Sequence, residues 1–224
     1  MEGRAAPRPP LDLYVILDRA ASGGRDLVAL AGAVLGAGVR WIQLRDKEAT
    51  TRGLTTLARE MGARVRAAGG VFVVNDRLDV ALAVGADGVH LGQDDLPAAE
   101  GRRLAPGLVL GVSTHSLEQA RRAQADGADY LALGSIFPTG SKASFELVGL
   151  EALRLVRPHV TVPLVAIGGI TVDRVPSVLA AGADAVAVIS AIGLAGDPAA
   201  ATAAFLQAIR QARRPAAPPE HMAR

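Results

Sequence analysis

A short junction recurs four times along the chain. It reads Gly-Ala-Gly-Val at 36–39, Gly-Ala-Asp-Gly-Val at 85–89, Gly-Ala-Asp-Tyr at 127–130 and Gly-Ala-Asp-Ala-Val at 182–186. In each, a glycine suited to ending a helix is followed at once by a run the length of a buried strand. Helix-to-strand junctions at intervals of some 40–55 residues allow few architectures. Between them the chain predicts strands over Leu13–Leu17, Val39–Leu44, Val71–Val74, Gly88–Leu91, Val109–Val112, Tyr130–Leu133, Leu164–Ile167 and Ala185–Ile189. Helices fall between: Leu27–Leu35, a long helix capped by Thr50 with Leu54, Leu57, Met61 and Val65 at helical spacing, and Leu78–Val84. Pro97 opens a short one, Ser116 caps one through Asp126, and Leu150–Val156 forms another. Thr171 caps a helix carrying Val175, Val178 and Leu179, and Pro198 opens the last, to about Arg213. Near-continuous apolar strands alternating with helices imply a parallel sheet buried on both faces. Eight such units predict an α/β fold of the (β/α)8 TIM-barrel type as a single domain. A doubly wound open sheet is the alternative; no Gly-x-Gly-x-x-Gly follows the first strand, which counts against its dinucleotide-binding version.

The barrel is expected over residues 11–213, with an Arg/Pro/Ala-rich tail at 1–10 and a second tail at 214–224, both read as disordered. Half of the 224 residues are hydrophobic, enough for a sizeable core. No run of 18 apolar residues exists, so no membrane partner is expected, and the first ten residues lack a secretory h-region. Cysteine is absent, which removes disulfides and thiolate metal sites and fits a cytoplasmic protein. A net charge of +2, with aromatics at 3% and no basic tract among them, argues against nucleic acid as a partner. Small-molecule substrates remain, and a homo-oligomer is compatible with the pattern.

The unusual polar residues follow strands rather than precede them, so in a barrel they ring the C-terminal mouth. The stretch Val71–Asp95 is a compact strand–helix–strand unit whose two strands run into Asn75-Asp76 and Gln93-Asp94-Asp95. If those strands are parallel neighbours, Asp76 and Asp95 face one another. Such a pair suits Mg²⁺ held jointly with a substrate phosphate; the other reading is that both cap the following helices. The chain has 22 Arg but two Lys, Lys47 and Lys142, and one Asn, Asn75. Both Lys and Asn75 fall at the mouth, where a compact ammonium differs from a guanidinium fork. Gly168-Gly169 after strand seven and Ser190-Ala191 after strand eight occupy the place where barrels bind phosphate through backbone N–H groups. A phosphate site, a carboxylate pair and a separate cationic set of Arg45, Lys47 and Lys142 exceed the needs of one phosphate. They imply two phosphorylated ligands, one a Mg²⁺-bound diphosphate.

Seven segments in order carry a resemblance: QLRDK, VVNDR, GADGVHLGQDD, GVSTH, GSIFPTGSK, AIGGI and VISAI. Together they closely resemble the thiamine phosphate synthase family, over about residues 13–210. That resemblance implies a transferase joining 4-amino-2-methyl-5-hydroxymethylpyrimidine diphosphate to 4-methyl-5-(2-hydroxyethyl)thiazole phosphate, giving thiamine phosphate and diphosphate. It implies Mg²⁺ as cofactor, held by Asp76 and Asp95. It implies that Arg45, Lys47, Asn75 and Lys142 bind the diphosphate, with Gln43 and Ser113 near the pyrimidine. Thr139 and Ser141 would contact the thiazole phosphate, helped by backbone at Gly169, Ile189 and Ser190. The catalytic roles fall to Lys142, Arg45 and Ser113. Ser141 stands where the family usually has Thr, and the stretch 143–148 is more apolar than the family pattern.

No strong nucleophile or poised base stands out, and His90 and His115 read as structural. None is needed if the diphosphate leaves first and the thiazole nitrogen attacks the resulting cation. The long loop Gly134–Val148 is placed to close and keep water away. Two further readings share the barrel: a non-catalytic binder of a phosphorylated metabolite, and a thiazole tautomerase. The tautomerases tend to carry His where this chain has Ser135, a poor proton shuttle.

Overall fold

The computed structural model describes residues 9–139 and 147–214. Eight parallel strands close into a barrel in sequence order: β1 (Leu13–Asp18), β2 (Trp41–Arg45), β3 (Val71–Asn75), β4 (Gly88–Leu91), β5 (Val109–Thr114), β6 (Tyr130–Leu133), β7 (Leu164–Ile167) and β8 (Ala185–Val188). β8 returns to pair with β1, Leu13 opposite Val186, which rules out the open sheet. Between and after the strands lie α1 (Leu27–Gly36), α2 (Thr51–Ala67), α3 (Leu78–Val84), α4 (Ala98–Leu104), α5 (Leu117–Ala125), α6 (Gly149–Val156), α7 (Val175–Ala180), α8 (Ser190–Gly193) and α9 (Pro198–Ala212).

Strand alternation divides the apolar residues into two cores. Outward side chains such as Leu13, Val15, Ile42, Leu44, Phe72 and Val74 pack under the helices. Inward ones, Tyr14, Ile16, Trp41, Val71, Val73, Val109, Tyr130 and Val165 among them, fill the barrel. The chain's only Trp and both its Tyr stand inside. Tyr14 stacks on Trp41 with centroids 4.0 Å apart, and Tyr130 meets Trp41 edge-on at 4.9 Å. So much aromatic volume requires small residues opposite. A Cβ on Gly111 would sit 2.0 Å from the Tyr130 ring, so that position has to be glycine.

The recurring Gly-Ala-Asp junction lies at the opposite, N-terminal face and has a structural purpose. Its aspartates accept backbone N–H groups of the adjacent strand: Asp87 from Phe72 at 3.0 Å, Asp129 from Leu110 at 2.7 Å and Asp184 from Leu164 at 2.8 Å. Arg102 and Arg157 pair with Asp129 and Asp184. These buttresses satisfy donors at strand starts that no ladder partner reaches, and they leave the C-terminal mouth free for chemistry.

The expected elements stand, with shifts at their ends. The second strand begins at Trp41 rather than Val39, and the fifth runs on through Thr114. Pro97 takes the N-cap of α4 rather than its first turn. Thr171 precedes a 3-10 turn, Val172–Arg174, instead of capping a helix through its side chain, and α7 begins only at Val175. The four-residue helix α8 directly after β8 is an addition, because so short a helix has no periodicity to read. The caps Thr50, Ser116 and Asp197 each accept a backbone N–H in the first turn of their helix. The N-terminal tail to residue 8 and the C-terminal tail from 215 lie outside the described residues, so neither tail reading is addressed.

Candidate active site

Strand register brings the polar ends together. Asp18 lies beside Arg45 across β1 and β2, and Asn75 beside His90 across β3 and β4. Past β3 the chain turns sharply. Asp76 adopts φ +60, a left-handed conformation that Asp tolerates better than most side chains, and its N–H donates to the His90 carbonyl at 2.8 Å. That turn directs the Asp76 carboxyl to within hydrogen-bonding reach of Asp95. Asp95 is itself fixed by accepting the Gly92 N–H at 2.6 Å. Burial first, and then the neighbouring Asp95 carboxylate, push the Asp76 carboxyl above its ordinary value; the Lys47 ammonium, 3.2 Å away, opposes this. Neither aspartate accepts from the helix that follows it: α3 and α4 have no side-chain cap. The helix-capping reading therefore fails, and the facing pair remains.

Arg45, Lys47, Asn75, Asp76, Asp95 and Ser113 line one hollow, together with His90, Gly92, Gln93 and Asp94. Arg45 is gripped by the buried Asp18 carboxylate, a partner visible in sequence only through its place at the end of β1. Asp94 is solvent-exposed, whereas Asp76 and Asp95 are half-buried. Among the described residues no three His, Cys, Asp or Glu side chains gather as a complete metal cage.

A second hollow adjoins the first. Ser113, Ser135, Thr139, Gly168, Gly169, Ile189 and Ser190 are in its wall. The Gly168-Gly169 turn is pressed against the start of the loop after β6. A Cβ on Gly169 would come within 2.4 Å of the Pro138 carbonyl oxygen, and one on Gly168 within 2.3 Å of Ser135 Oγ. Phe137 N–H donates to the Gly168 carbonyl at 3.0 Å. Arg174 covers the Phe137 ring at 4.4 Å and donates to the Gly169 carbonyl at 2.7 Å. After β8, Arg25 holds the end of α8 by donating to Gly193 and Ala195 carbonyls at 2.6 and 2.7 Å.

Ser113 lines both hollows and is their common wall. Gln43 lies deeper; it is 1% exposed, lines neither hollow and donates to the Tyr14 hydroxyl at 2.6 Å. His90, which reads as structural in the sequence, bonds Ser113 Oγ through Nε2 at 2.9 Å and Tyr130 through Nδ1 at 3.0 Å. His115 is held by Gln119, whose side-chain oxygen accepts its N–H at 2.7 Å. Ser141 and Lys142 lie outside the described residues. Of the site residues expected from sequence, then, ten are brought to two adjoining hollows and one lies beneath them.

Known proteins resemble this chain in sequence and in fold. A family model described as thiamine monophosphate synthase matches residues 13–192. The thiamine-phosphate synthase of Moorella thermoacetica is 49% identical over 207 residues, covering 92% of this chain and 99% of that one. That of Methanocella arvoryzae is 51% identical over 183 residues, covering 81% and 86%. Among solved structures, thiamine phosphate pyrophosphorylase from Pyrococcus furiosus superposes with a TM-score of 0.84 at 41% identity, covering 91% of this chain and 98% of that one. 3-Hexulose-6-phosphate synthase, at 24% identity and a TM-score of 0.65, shares the fold alone. The matched region runs from β1 through the turn after β8 and so includes every described side chain of the two hollows; the chain belongs to the thiamine monophosphate synthase family.

Proposed function

We propose that the two hollows hold the two substrates of a thiamine-phosphate synthase: a pyrimidine methyl diphosphate beside Asp76 and Asp95, and a thiazole phosphate beside Gly169 and Ser190. The observation that carries this reading is the shared wall at Ser113, which lets a carbon bound in one hollow meet a nitrogen bound in the other. Arg45, Lys47 and Asn75 supply donors to the diphosphate. Lys142 adds an ammonium and Ser141 a hydroxyl in this reading. Thr139, with backbone at Gly169, Ile189 and Ser190, receives the thiazole phosphate.

The donor set fits Mg²⁺. Burial, and after it the facing Asp95 carboxylate, raise Asp76, and one ammonium does not offset this. Two carboxylates are also too few for an all-protein cage, which suits an ion that completes its shell with phosphate oxygens and water. When bound there by Asp76 and Asp95, Mg²⁺ supplies Lewis-acid neutralisation of charge on the diphosphate.

The reaction balances without a protein base. The pyrimidine methylene C–O bond breaks, and its electron pair leaves with the diphosphate. The aminopyrimidine spreads the positive charge, and the thiazole nitrogen lone pair forms the new C–N bond. No proton has to move in either step, so the engagement of His115 with Gln119 costs the reaction nothing. The protein's part is electrostatic and positional: Arg45, Lys47 and Lys142 meet growing negative charge, and the two hollows hold the partners in line. The direct test incubates both substrates with the protein and Mg²⁺ and assays thiamine phosphate. Absence of product, with rapid metal-independent aromatisation of the thiazole carboxylate tautomer, would replace this reading with a tautomerase.

A further inference from the structure

An unbroken chain of hydrogen bonds runs through the barrel beneath the mouth. Gln43 Nε2 donates to the Tyr14 hydroxyl at 2.6 Å, Tyr14 and Tyr130 hydroxyls are 2.9 Å apart, Tyr130 Oη is 3.0 Å from His90 Nδ1, and His90 Nε2 is 2.9 Å from Ser113 Oγ. It joins the two residues read as facing the pyrimidine. Its middle is dry: Tyr14 and Tyr130 are fully buried, and burial raises both phenols well above their ordinary values, so each stays neutral with one proton to give.

One proton per hydroxyl makes the chain directional. With Tyr14 accepting from Gln43, every hydroxyl proton in the chain is used only if that of Tyr14 goes to Tyr130. Tyr130 then gives its proton to His90 Nδ1. In that order a neutral His90 carries its proton on Nε2 and donates to Ser113 Oγ. The Ser113 proton is thereby turned out, into the hollows. At the other end the Gln43 amide nitrogen is committed inward.

We propose that Tyr130 is a positioning residue that sets this polarity. It makes Ser113, which lines both hollows, a donor toward the substrate, the complement of an unprotonated ring nitrogen. The inference rests on the placement of the pyrimidine given above. The slot is built for the phenol: Gly111 leaves room for the ring, and Trp41 packs edge-on against it. Tyr130 touches neither hollow and acts only through its neighbours.

The test uses the full chain labelled with 15N-histidine. The His90 signal, identified by its loss in His90→Asn, should show a protonated Nε2 and an unprotonated, hydrogen-bonded Nδ1. Tyr130→Phe should abolish that signature and raise KM for the pyrimidine diphosphate about five- to tenfold, the effect of one hydrogen bond, with KM for the thiazole phosphate within about twofold. Tyr14→Phe breaks the chain one link earlier and should act in the same direction, and it stands in if Tyr130→Phe does not fold. A wild-type His90 protonated on Nδ1 means the chain runs the other way and overturns the proposal. An equal rise in both KM values reduces Tyr130 to packing and also overturns it. A wild type that makes no thiamine phosphate would instead defeat the underlying reading, while the His90 signature would still report the polarity.

Discussion

Gly169→Ala tests whether the phosphate turn and the loop after β6 form one fitted surface. Two penalties apply. Gly169 has φ +60, and an L-residue there costs about 1–2 kcal/mol. The new methyl would also lie 2.4 Å from the Pro138 carbonyl oxygen and 2.9 Å from that of Phe137. Both are backbone atoms that no side-chain rotation can move aside, so one segment has to withdraw by about 1 Å; overpacking of this kind costs about 1–3 kcal/mol more. Gly69→Ala isolates the first penalty, because Gly69 has φ +70, a Cβ there would meet nothing within 4 Å, and the residue lies at the opposite barrel face, before β3. Thermal unfolding should therefore show a loss of about 2–8 °C for Gly69→Ala and clearly more for Gly169→Ala, at about 2–4 °C per kcal/mol for a chain of this size. Steady-state kinetics should separate them further. A 1 Å displacement at a binding surface costs up to about 100-fold in rate, and it should fall on kcat/KM for the thiazole phosphate, leaving Gly69→Ala unaffected. Equal melting losses with unchanged thiazole kinetics in both variants would refute the fitted-surface reasoning.

Asp76→Ala and Asp95→Ala should abolish turnover whereas the exposed Asp94→Ala should not, and an Asp95 variant with unchanged Mg²⁺ dependence would remove that residue from the metal site. Asp76→Asn should separate stability from function, since Asn also tolerates the left-handed backbone. The folded Asp76 carboxyl lies above its unfolded value near 3.9, so the native state holds the proton more tightly. The favourable contribution is complete below about pH 4 and is lost as pH rises through the raised native pKa. In EDTA, melts from pH 4 to 8 should thus show Asp76→Asn gaining on the wild type as pH rises; a difference independent of pH would contradict this. Lys142→Ala should lower kcat more than it raises KM, because its charge would meet a leaving group that becomes more negative in the transition state. Lys142→Arg should rescue poorly, and a change in KM alone would reduce Lys142 to a binding role.

Much of the site is legible in the sequence, for a simple geometric reason. In a parallel barrel every strand ends at the same face, so polar residues directly after apolar runs must share a mouth. That places Arg45, Asn75, Asp76, Asp95 and Ser113 near one another, and Gly169, Ile189 and Ser190 near one another. Local signals also suffice for helix starts such as those where Thr50 and Ser116 cap through their own side chains. They fail where the signal is not local. The repeat's aspartates look like junction markers because their partners, the N–H groups of Phe72, Leu110 and Leu164, lie 15 to 20 residues away.

By itself, then, the order of apolar runs, helix ends and post-strand polar residues determined an eight-unit barrel and which of its described polar residues gather at one end, Gln43 excepted, because period, capping and strand polarity are properties of neighbouring residues. Only the tertiary structure decided what those residues do to one another. The 40 residues between His90 and Tyr130, and the 116 between Tyr14 and Tyr130, leave no trace in spacing, yet closure of the barrel puts their polar atoms within 3.0 Å. Closure likewise joins two hollows at Ser113, sinks Gln43 beneath them and sets Asp76 against Asp95. Hydrogen bonds and charge repulsion depend on separations of a few ångströms, and in this chain those separations exist only once β8 has met β1.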